Sequence, residues 1–225
     1  GTIFIYSGVY HENLQIWDSV IIQGENRTNT TVDGGGMGDA IIQVLGGNAT
    51  LQELTIKHSE GSKVGLLLDS SDNMILDCSV INHFYGVYVQ SMYNNTVRNC
   101  TFSDNTIGFF FDHSDNNCVS GCLITRNEQG VLLYDNCNNN RITNCTISEN
   151  TEGLFFRDLS NDNSISQCHI SHNGIGVRLW DGKKNLFFLN TFKDYTNHTE
   201  STISDNLWYT REKINYTLEG VRYYG

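Results

Sequence analysis

A repeat of 22 or 23 residues runs from Gly65 to Asn190 and constrains this chain more than any other feature. Each unit opens with a glycine and an apolar-x-apolar triplet, then passes through a polar turn to an asparagine, a cysteine and a second asparagine. The glycine column contains Gly65, Gly86, Gly108, Gly130, Gly153 and Gly176. Repeats of this length fold as stacked, quasi-one-dimensional bodies.

Three more columns of like residues keep the same spacing. A first asparagine column contains Asn73, Asn95, Asn117, Asn140, Asn163 and Asn185. Five residues after each of these stand Cys78, Cys100, Cys122, Cys145, Cys168 and finally Asn190. A second asparagine column precedes the next glycine by three residues, or by four in its first member, and contains Asn82, Asn105, Asn127, Asn150 and Asn173.

The composition of the unit decides between helix and strand. A leucine-rich repeat has a similar period, but no stretch of ten or more residues here has helical spacing. Glycine and asparagine interrupt every apolar run. Strands this short can pair only with their own counterparts one coil further along. The sequence therefore predicts an all-β fold, a parallel β-helix with about three faces per coil and a rise of about 4.8 Å per coil.

Stacking gives the polar columns a physical role. An asparagine amide can donate a hydrogen bond to one neighbour in its column and accept one from the other, so that no buried polar group stays unpaired. Cysteines stacked at about 4.8 Å are slightly too far apart and too parallel for disulfides, so we expect buried free thiols. Cys118 and Cys137 lie outside the column, and we place both in turns, where they could pair or bind a ligand.

The domain boundaries follow from where the repeat is regular. Residues 1–192 are predicted to form the β-helix, with regular coils from about residue 49. Residues 193–225 lose the register and are predicted to form an irregular C-terminal segment, as a cap, a hairpin or an interaction segment. Gly1 opens directly into a strand-like sequence, so we expect the chain to be a processed or excised piece of a longer product.

Charge and hydropathy exclude two kinds of partner. The formal net charge is −11 and no basic stripe could neutralise phosphates, so we expect no nucleic-acid partner. No run of about 18 apolar residues occurs, so no membrane-spanning helix is predicted.

One outward column is unusually apolar. The middle residue of each strand that follows a column glycine must point away from the interior, because side chains alternate along a strand. Five neighbouring members form what we call the apolar stripe: Leu67, Tyr88, Phe110, Leu132 and Phe155. Water does not favour such a surface. We therefore expect the stripe to be covered by the C-terminal segment, by another chain or by sugar rings.

The chain resembles a known family. The opening Gly1–Leu14, the stretch Gly24–Gly36 and the Asn-x-Ile-x-x-Cys coils are similar to the NosD-like right-handed parallel β-helix family. That family belongs to the pectate-lyase-like superfamily, which includes the domain named for carbohydrate-binding proteins and sugar hydrolases. The ending Asn206–Gly225 is similar to the tails of archaeal cell-surface members. The resemblance implies a right-handed β-helix but leaves the activity open, because such folds host lyases, hydrolases, epimerases, adhesins and inert scaffolds.

The resemblance also indicates where chemistry would lie. Enzymes of this class that act on polysaccharides use outward Asp, Arg, Lys or His side chains on adjacent coils. Asp112 and His113 faintly resemble the first Asp and the His of the alginate-epimerase motif, which has a proline that is missing here, and Arg157 completes the candidate catalytic set. The competing interpretation is that a small polar residue at this position is a general requirement of the turn.

No metal site is assigned from the sequence. Carboxylates on successive coils could hold Ca²⁺, but no loop supplies an obvious set of six to eight oxygen ligands. His169 and His172 need not share a face, and only the family name favours copper there. Among the Asn-x-Ser/Thr sequons, those expected to carry glycans are Asn26, Asn94, Asn197 and Asn215, with Asn94 and Asn197 placed in exposed turns.

Three classes of function are consistent with these residues. The leading hypothesis is a non-catalytic, glycosylated, extracellular β-helix of a cell surface, with a structural or adhesive role and lateral assembly with itself or other surface proteins through the apolar stripe. One alternative is a polysaccharide lyase or epimerase that works around Asp112, His113 and Arg157. The other is a carbohydrate-binding module without turnover.

Overall fold

The computed structural model describes residues 1–34, 38–58, 64–193, 197–202, 205–209, 215–218 and 221–224. These residues form strands and turns and contain no helix. In chain order the strands are β1 (Thr2–Ile5), β2 (Gly8–Tyr10), β3 (Leu14–Ile16), β4 (Ile21–Gly24), β5 (Thr30–Asp33), β6 (Ala40–Val44), β7 (Thr50–Gln52), β8 (Thr55–Lys57), β9 (Val64–Leu68), β10 (Met74–Leu76), β11 (Ser79–Ile81), β12 (Tyr85–Gln90), β13 (Thr96–Arg98), β14 (Thr101–Ser103), β15 (Ile107–Asp112), β16 (Cys118–Ser120), β17 (Leu123–Thr125), β18 (Gln129–Tyr134), β19 (Arg141–Thr143), β20 (Thr146–Ser148), β21 (Glu152–Arg157), β22 (Ser164–Ser166), β23 (His169–Ser171), β24 (Ile175–Leu179), β25 (Leu186–Phe188), β26 (Thr191–Lys193), β27 (Asn197–Ser201), β28 (Leu207–Tyr209), β29 (Asn215–Leu218) and β30 (Val221–Tyr224).

Strands from successive coils build three sheets. The first sheet has the order β1-β4-β7-β10-β13-β16-β19-β22-β25-β28, the second β2-β5-β8-β11-β14-β17-β20-β23-β26, and the third β3-β6-β9-β12-β15-β18-β21-β24-β27-β29-β30. Like positions pair in parallel, as where Val97 lies opposite Val119. The predicted parallel β-helix is confirmed. In the part of the chain that is described, no helix is long and apolar enough to cross a membrane.

Inward side chains of the three sheets fill one continuous bore. Phe109 and Phe111 of the third sheet are almost fully buried there and stack with ring centroids 4.5 Å apart. Phe102 of the second sheet meets Phe109 edge-on at 5.5 Å. Burying each such side chain contributes about 1.5–3 kcal/mol, and every one of them needs the coils on both sides to be covered.

Two asparagine ladders run along corners of the bore. At the corner between the second and third sheets, the Asn127 side-chain amide donates to Asn150 Oδ1 at 3.0 Å and to the Phe102 carbonyl at 3.2 Å. Its Oδ1 accepts from the backbone and side-chain amides of Asn105, at 3.0 and 3.1 Å. Asn140 makes the same kind of bond to Asn163 Oδ1, at 3.2 Å, between the third and first sheets. The expected donor and acceptor stacking is confirmed at these members, whereas the buried side-chain amide nitrogen of Asn95 has no hydrogen-bond partner among the described residues.

The first member of the second ladder was assigned wrongly. His83, not Asn82, lies in register with Asn105, because its backbone amide donates to Asn105 Oδ1 at 2.9 Å. Asn82 instead occupies the preceding left-handed bend with φ of 64°, as Asp104 does in the next coil with φ of 60°. The spacing to the glycine, four residues rather than three, was the sign of this offset.

The cysteine column consists of buried free thiols, as expected. Cys137 is also buried, in the bend after β18. Cys118 was expected in a turn, but it is the first residue of β16 and is half-buried on the outer surface of the first sheet. The strand begins directly after Asn117, so the turn ends one residue earlier than the sequence suggested.

The column glycines are required by close approach of neighbouring coils. A Cβ built on Gly130 would lie 2.5 Å from the Gly153 carbonyl oxygen, and one on Gly108 would lie 2.7 Å from the Gly130 oxygen. Both distances are shorter than a non-bonded contact between a carbon and an oxygen atom allows. The backbone at these positions does not have positive φ, so space rather than conformation selects glycine.

Parallel strand pairing is also present after residue 192. β26 ends at Lys193, β27 pairs in parallel with β24, and β28 pairs in parallel with β25. β29 continues the third sheet, and β30 pairs with it antiparallel. The role of residues 193–225 as a separate segment stays a prediction.

We predict that Asn127→Ala destabilises the fold by at least about 2 kcal/mol, because it leaves two buried amide donors of Asn105 without an acceptor. Urea unfolding followed by far-UV circular dichroism measures the change. Thr146→Ala, on the outer surface of the second sheet, is the control and should change stability by less than about 0.5 kcal/mol. Equal losses in the two variants would contradict a structural role for the ladder.

Candidate functional site at the margin of the third sheet

The candidate catalytic residues lie in or next to one column at the end of the third-sheet strands. We call this column the margin of the third sheet; its members considered below are Asp112, Tyr134, Arg157 and Trp180. Asp112 is in register with Tyr134, and Tyr134 is in register with Arg157. Trp180 directly follows β24 on the next coil. Asp112 and Arg157 are therefore two coils apart, separated by about 10 Å, with a tyrosine between them.

The imidazole of His113 bridges carboxylates from two successive coils. Its Nδ1 lies 2.7 Å from Asp112 Oδ1, and its Nε2 lies 3.1 Å from Asp135 Oδ2. The hydroxyl of Tyr88, one coil earlier, donates to Asp112 Oδ2 at 2.9 Å. Asp112 is mostly covered, whereas about half of the His113 side chain is exposed. The four residues form a continuous network at the surface.

Two pKa values respond to this network. The hydrogen bond to Asp112 raises the pKa of His113, and the Asp135 charge acts in the same direction. Burial raises the pKa of the Tyr88 phenol, and its hydrogen bond to Asp112 raises it further. Both shifts favour the protonated forms next to Asp112.

Trp180 lies close to two guanidinium groups. It is 41% exposed, and the Arg157 guanidinium carbon lies 5.8 Å from its ring while that of Arg178 lies 5.6 Å away. Arg157 also lies over the Tyr134 ring at 5.4 Å, and its Nε is 3.0 Å from Asp158 Oδ2. Arg178 pairs with Glu152 and with Glu200. The margin thus combines a partly exposed aromatic ring with fixed charges of both signs.

The apolar stripe is less exposed than alternation along the strand implied. Phe110, Leu132 and Phe155 are only 8%, 8% and 5% exposed within a single chain. Tyr85, Tyr88 and Tyr134 pack against them, and Tyr88 stacks on Phe110 with ring centroids 4.8 Å apart. The chain itself covers most of the stripe. Its assignment as an interaction surface stays a prediction.

Sequence reasoning missed Tyr134 and Trp180 as members of this site. The signal that could have found them is the column: counting one coil back and one coil forward from Arg157 gives these two aromatic residues. They were overlooked because the repeat identifies buried positions, whereas the residue type at the end of each third-sheet strand differs from coil to coil.

The expected glycosylation sites fall in different settings. Asn94 is exposed in a bend with φ of 58°, and its side chain donates to Asp72 at 3.1 Å. Asn26 is half-buried, and its Oδ1 accepts from the Asn29 amide at 3.0 Å. Asn197 was expected in a turn but begins β27, and Asn215 begins β29. Glycosylation of these four residues stays a prediction.

Solved structures define the class of this protein. Pectate lyase Pel9A superposes with a TM-score of 0.66 at 13% identity, over 97% of this chain and 69% of that one. An alginate lyase from Paenibacillus gives 0.63 at 10% identity over 98% and 91%. The mannuronan C-5 epimerase AlgE4 A-module of Azotobacter vinelandii gives 0.58 at 13% identity over 97% and 88%. The fold is that of the pectate-lyase-like right-handed parallel β-helices.

A family match identifies the protein more narrowly than its fold class does. Residues 18–225 match the family described as periplasmic copper-binding protein (NosD), and the chain belongs to that family. The NosD-like resemblance seen in the sequence is confirmed. No curated protein matches the chain.

The family's name implies copper, which His and Cys side chains would have to bind. Within the described ranges, no three His, Cys, Asp or Glu side chains are placed together as a metal ion requires. His169 is exposed on β23, while His172 occupies the bend that follows, with φ of 55°. Cys145, in the buried column, directs its thiol to the Thr143 carbonyl at 3.3 Å. These residues do not fit a copper centre.

We predict that iodoacetamide modifies Cys118 first in the native protein, because the column thiols and Cys137 are buried. Burial raises the pKa of Cys118 and raises that of Cys137 to about 12, so Cys118 itself should react more slowly than a free thiol. Mass spectrometry after timed alkylation measures the order. Cys118→Ser should abolish the early adduct, and rapid modification of Cys100 or Cys145 in the folded protein would contradict the buried column.

Proposed function

We propose that this protein binds a polysaccharide along the outer margin of the third sheet. The observation that carries the proposal is the partly exposed Trp180 ring close to two guanidinium groups, in line with Tyr134 and Asp112 on the preceding coils and next to His113. Sugar-binding surfaces need a flat apolar face together with charged or polar groups that reach hydroxyl and carboxyl oxygens. This margin offers both within two or three coils.

The regular rise of the coil favours a linear polymer as the ligand. Equivalent side chains repeat about every 4.8 Å along the margin, so an extended chain lying parallel to the axis would contact several coils at once. A ligand spanning several coils would gain affinity from many weak contacts. The similar structures support the same class of ligand, since they are a pectate lyase, an alginate lyase and a mannuronan epimerase.

Binding without turnover is favoured over catalysis in this arrangement. Both oxygens of Asp112 already have partners in Tyr88 and His113, and Arg157 pairs with Asp158. A general base must instead reach a proton on the substrate. The candidate catalytic residues Asp112, His113 and Arg157 are therefore proposed as binding groups, and turnover is an outcome to be examined by the ultraviolet absorbance of unsaturated products.

A polysaccharide is also favoured over lateral assembly through the apolar stripe. Lateral assembly, which the structural or adhesive hypothesis places on that stripe, needs exposed apolar area, whereas Phe110, Leu132 and Phe155 are nearly covered within the chain. Little apolar area is left for a second chain to bury. We place the protein outside the cytoplasm, which the periplasmic description of its family supports.

We predict that Trp180→Ala weakens binding of a short oligosaccharide about tenfold, because it removes the exposed aromatic face. Isothermal titration calorimetry with alginate, pectate and neutral β-glucan oligomers measures the affinity. The control is Trp17→Ala. Trp17 follows β3, is also exposed, and lies seven coils away on the same sheet, about 34 Å along the axis. Absence of binding to every oligomer tested, or equal losses in both variants, would overturn the proposed site.

A further inference from the structure

We propose that His113 is a proton-operated latch on the polysaccharide-binding margin. When protonated, it joins Asp112 and Asp135 of successive coils and holds the margin in its binding form. When neutral, it releases one of them and the affinity falls. This inference rests on the proposed function and adds its regulation: binding strengthens in acid and weakens as the pH rises.

The geometry favours a charged imidazole. Nδ1 shares a hydrogen bond with Asp112 Oδ1 at 2.7 Å, and Nε2 lies 3.1 Å from Asp135 Oδ2 as an ion-pair contact. An ionised carboxylate only accepts hydrogen bonds, and a neutral imidazole carries a single N–H. When Nδ1–H is donated to Asp112, a neutral imidazole turns the lone pair of Nε2 towards Asp135, whereas the imidazolium form is attracted to both carboxylates. Loss of the proton therefore removes the attraction to Asp135.

The backbone holds His113 in position for this bridge. Its amide lies 3.3 Å from the Tyr134 carbonyl oxygen and 3.1 Å from that of Asp135, so the residue is attached to the coil that carries its second carboxylate. Its φ of 48° is left-handed, an uncommon conformation for histidine. Asp135 repeats this conformation in the next coil with φ of 51°.

The surroundings supply no second cation that would replace the proton. Arg157, two coils from Asp112, is paired with Asp158. The titratable or charged groups around the bridge, on its own turn and on the neighbouring coils, are Asp69, Tyr85, Tyr88, Asp112, Asp115, Tyr134, Asp135, Cys137, Arg157 and Asp158. Five of these are carboxylates and one is a cation, so the neutral latch leaves Asp112 and Asp135 on successive coils without a positive charge between them.

The direction of the pH effect follows from the raised pKa of His113, whose largest cause is the hydrogen bond to Asp112. A group whose pKa is raised by its native contacts contributes fully below its ordinary value, about 6.5 for histidine, and loses that contribution as the pH rises through the raised value. The latch is therefore closed in mildly acidic solution and opens towards and above neutral pH.

The test compares three forms of the full chain at about pH 5.5 and about pH 8.5. Because the pair is exposed, we expect wild-type affinity for the best-binding oligosaccharide to fall about two- to fivefold between them. His113→Asn, neutral and tolerant of left-handed φ, should bind weakly at both values. His113→Arg, always charged, should bind tightly at both, and Arg126 already adopts φ of 56° in this chain. Constant wild-type affinity, or an unchanged pH dependence in His113→Asn, would overturn the latch.

A second measurement needs no ligand and separates the latch from the proposed function. The NMR titration of the His113 ring should have a midpoint above that of free histidine, and Asp135→Asn should lower it. If no oligosaccharide binds at either pH while this midpoint shifts as expected, the bridge exists but the proposed function fails. A midpoint that Asp135→Asn leaves unchanged would refute the bridge itself, whatever the protein binds.

Discussion

In-register stacking of identical backbone positions is the constraint on which this molecule depends. Parallel strands hydrogen-bond only to the coils before and after, so every residue lies over its equivalent at about 4.8 Å. A corner position that cannot hydrogen-bond to its own kind would leave a buried polar group unpaired. Asparagine solves this because one amide both donates and accepts, as Asn127 does between Asn105 and Asn150. The asparagine repeat in the sequence follows from that requirement.

The same constraint decides where function can lie. Glycine, cysteine and asparagine positions are set by contacts between coils, such as the close approach of Gly130 to Gly153. Chemical variety is left to positions that face outward and do not need to match their neighbours. The column of Asp112, Tyr134 and Arg157 is one of these, and its residues differ in charge and shape from one coil to the next. Departure from the repeat is therefore a better guide to this site than agreement with it.

Sequence reasoning was sufficient for the bore and its ladders, because period and alternation determine both. It failed where a single residue's offset mattered: Asn82 is an asparagine near the right place, but His83 occupies the ladder. It also overestimated the exposure of the apolar stripe. Alternation along a strand gives the direction of Phe110 but not the lean of Tyr85 and Tyr88, which cover it. Long side chains on neighbouring coils, rather than the strand itself, determine accessibility.

The sequence indicated only part of the candidate site, for a related reason. Asp112 and His113 are adjacent in sequence, but the second carboxylate that contacts the imidazole, Asp135, lies one coil later. Contacts along the axis join residues 22 or 23 apart in sequence, and an ionisable pair at that separation has no local signature. In an acidic chain with a net charge of −11, protonation of a histidine between two such carboxylates changes the local charge directly. Stacking of the coils thus brings ionisable side chains that are 22 or 23 residues apart in sequence into electrostatic contact.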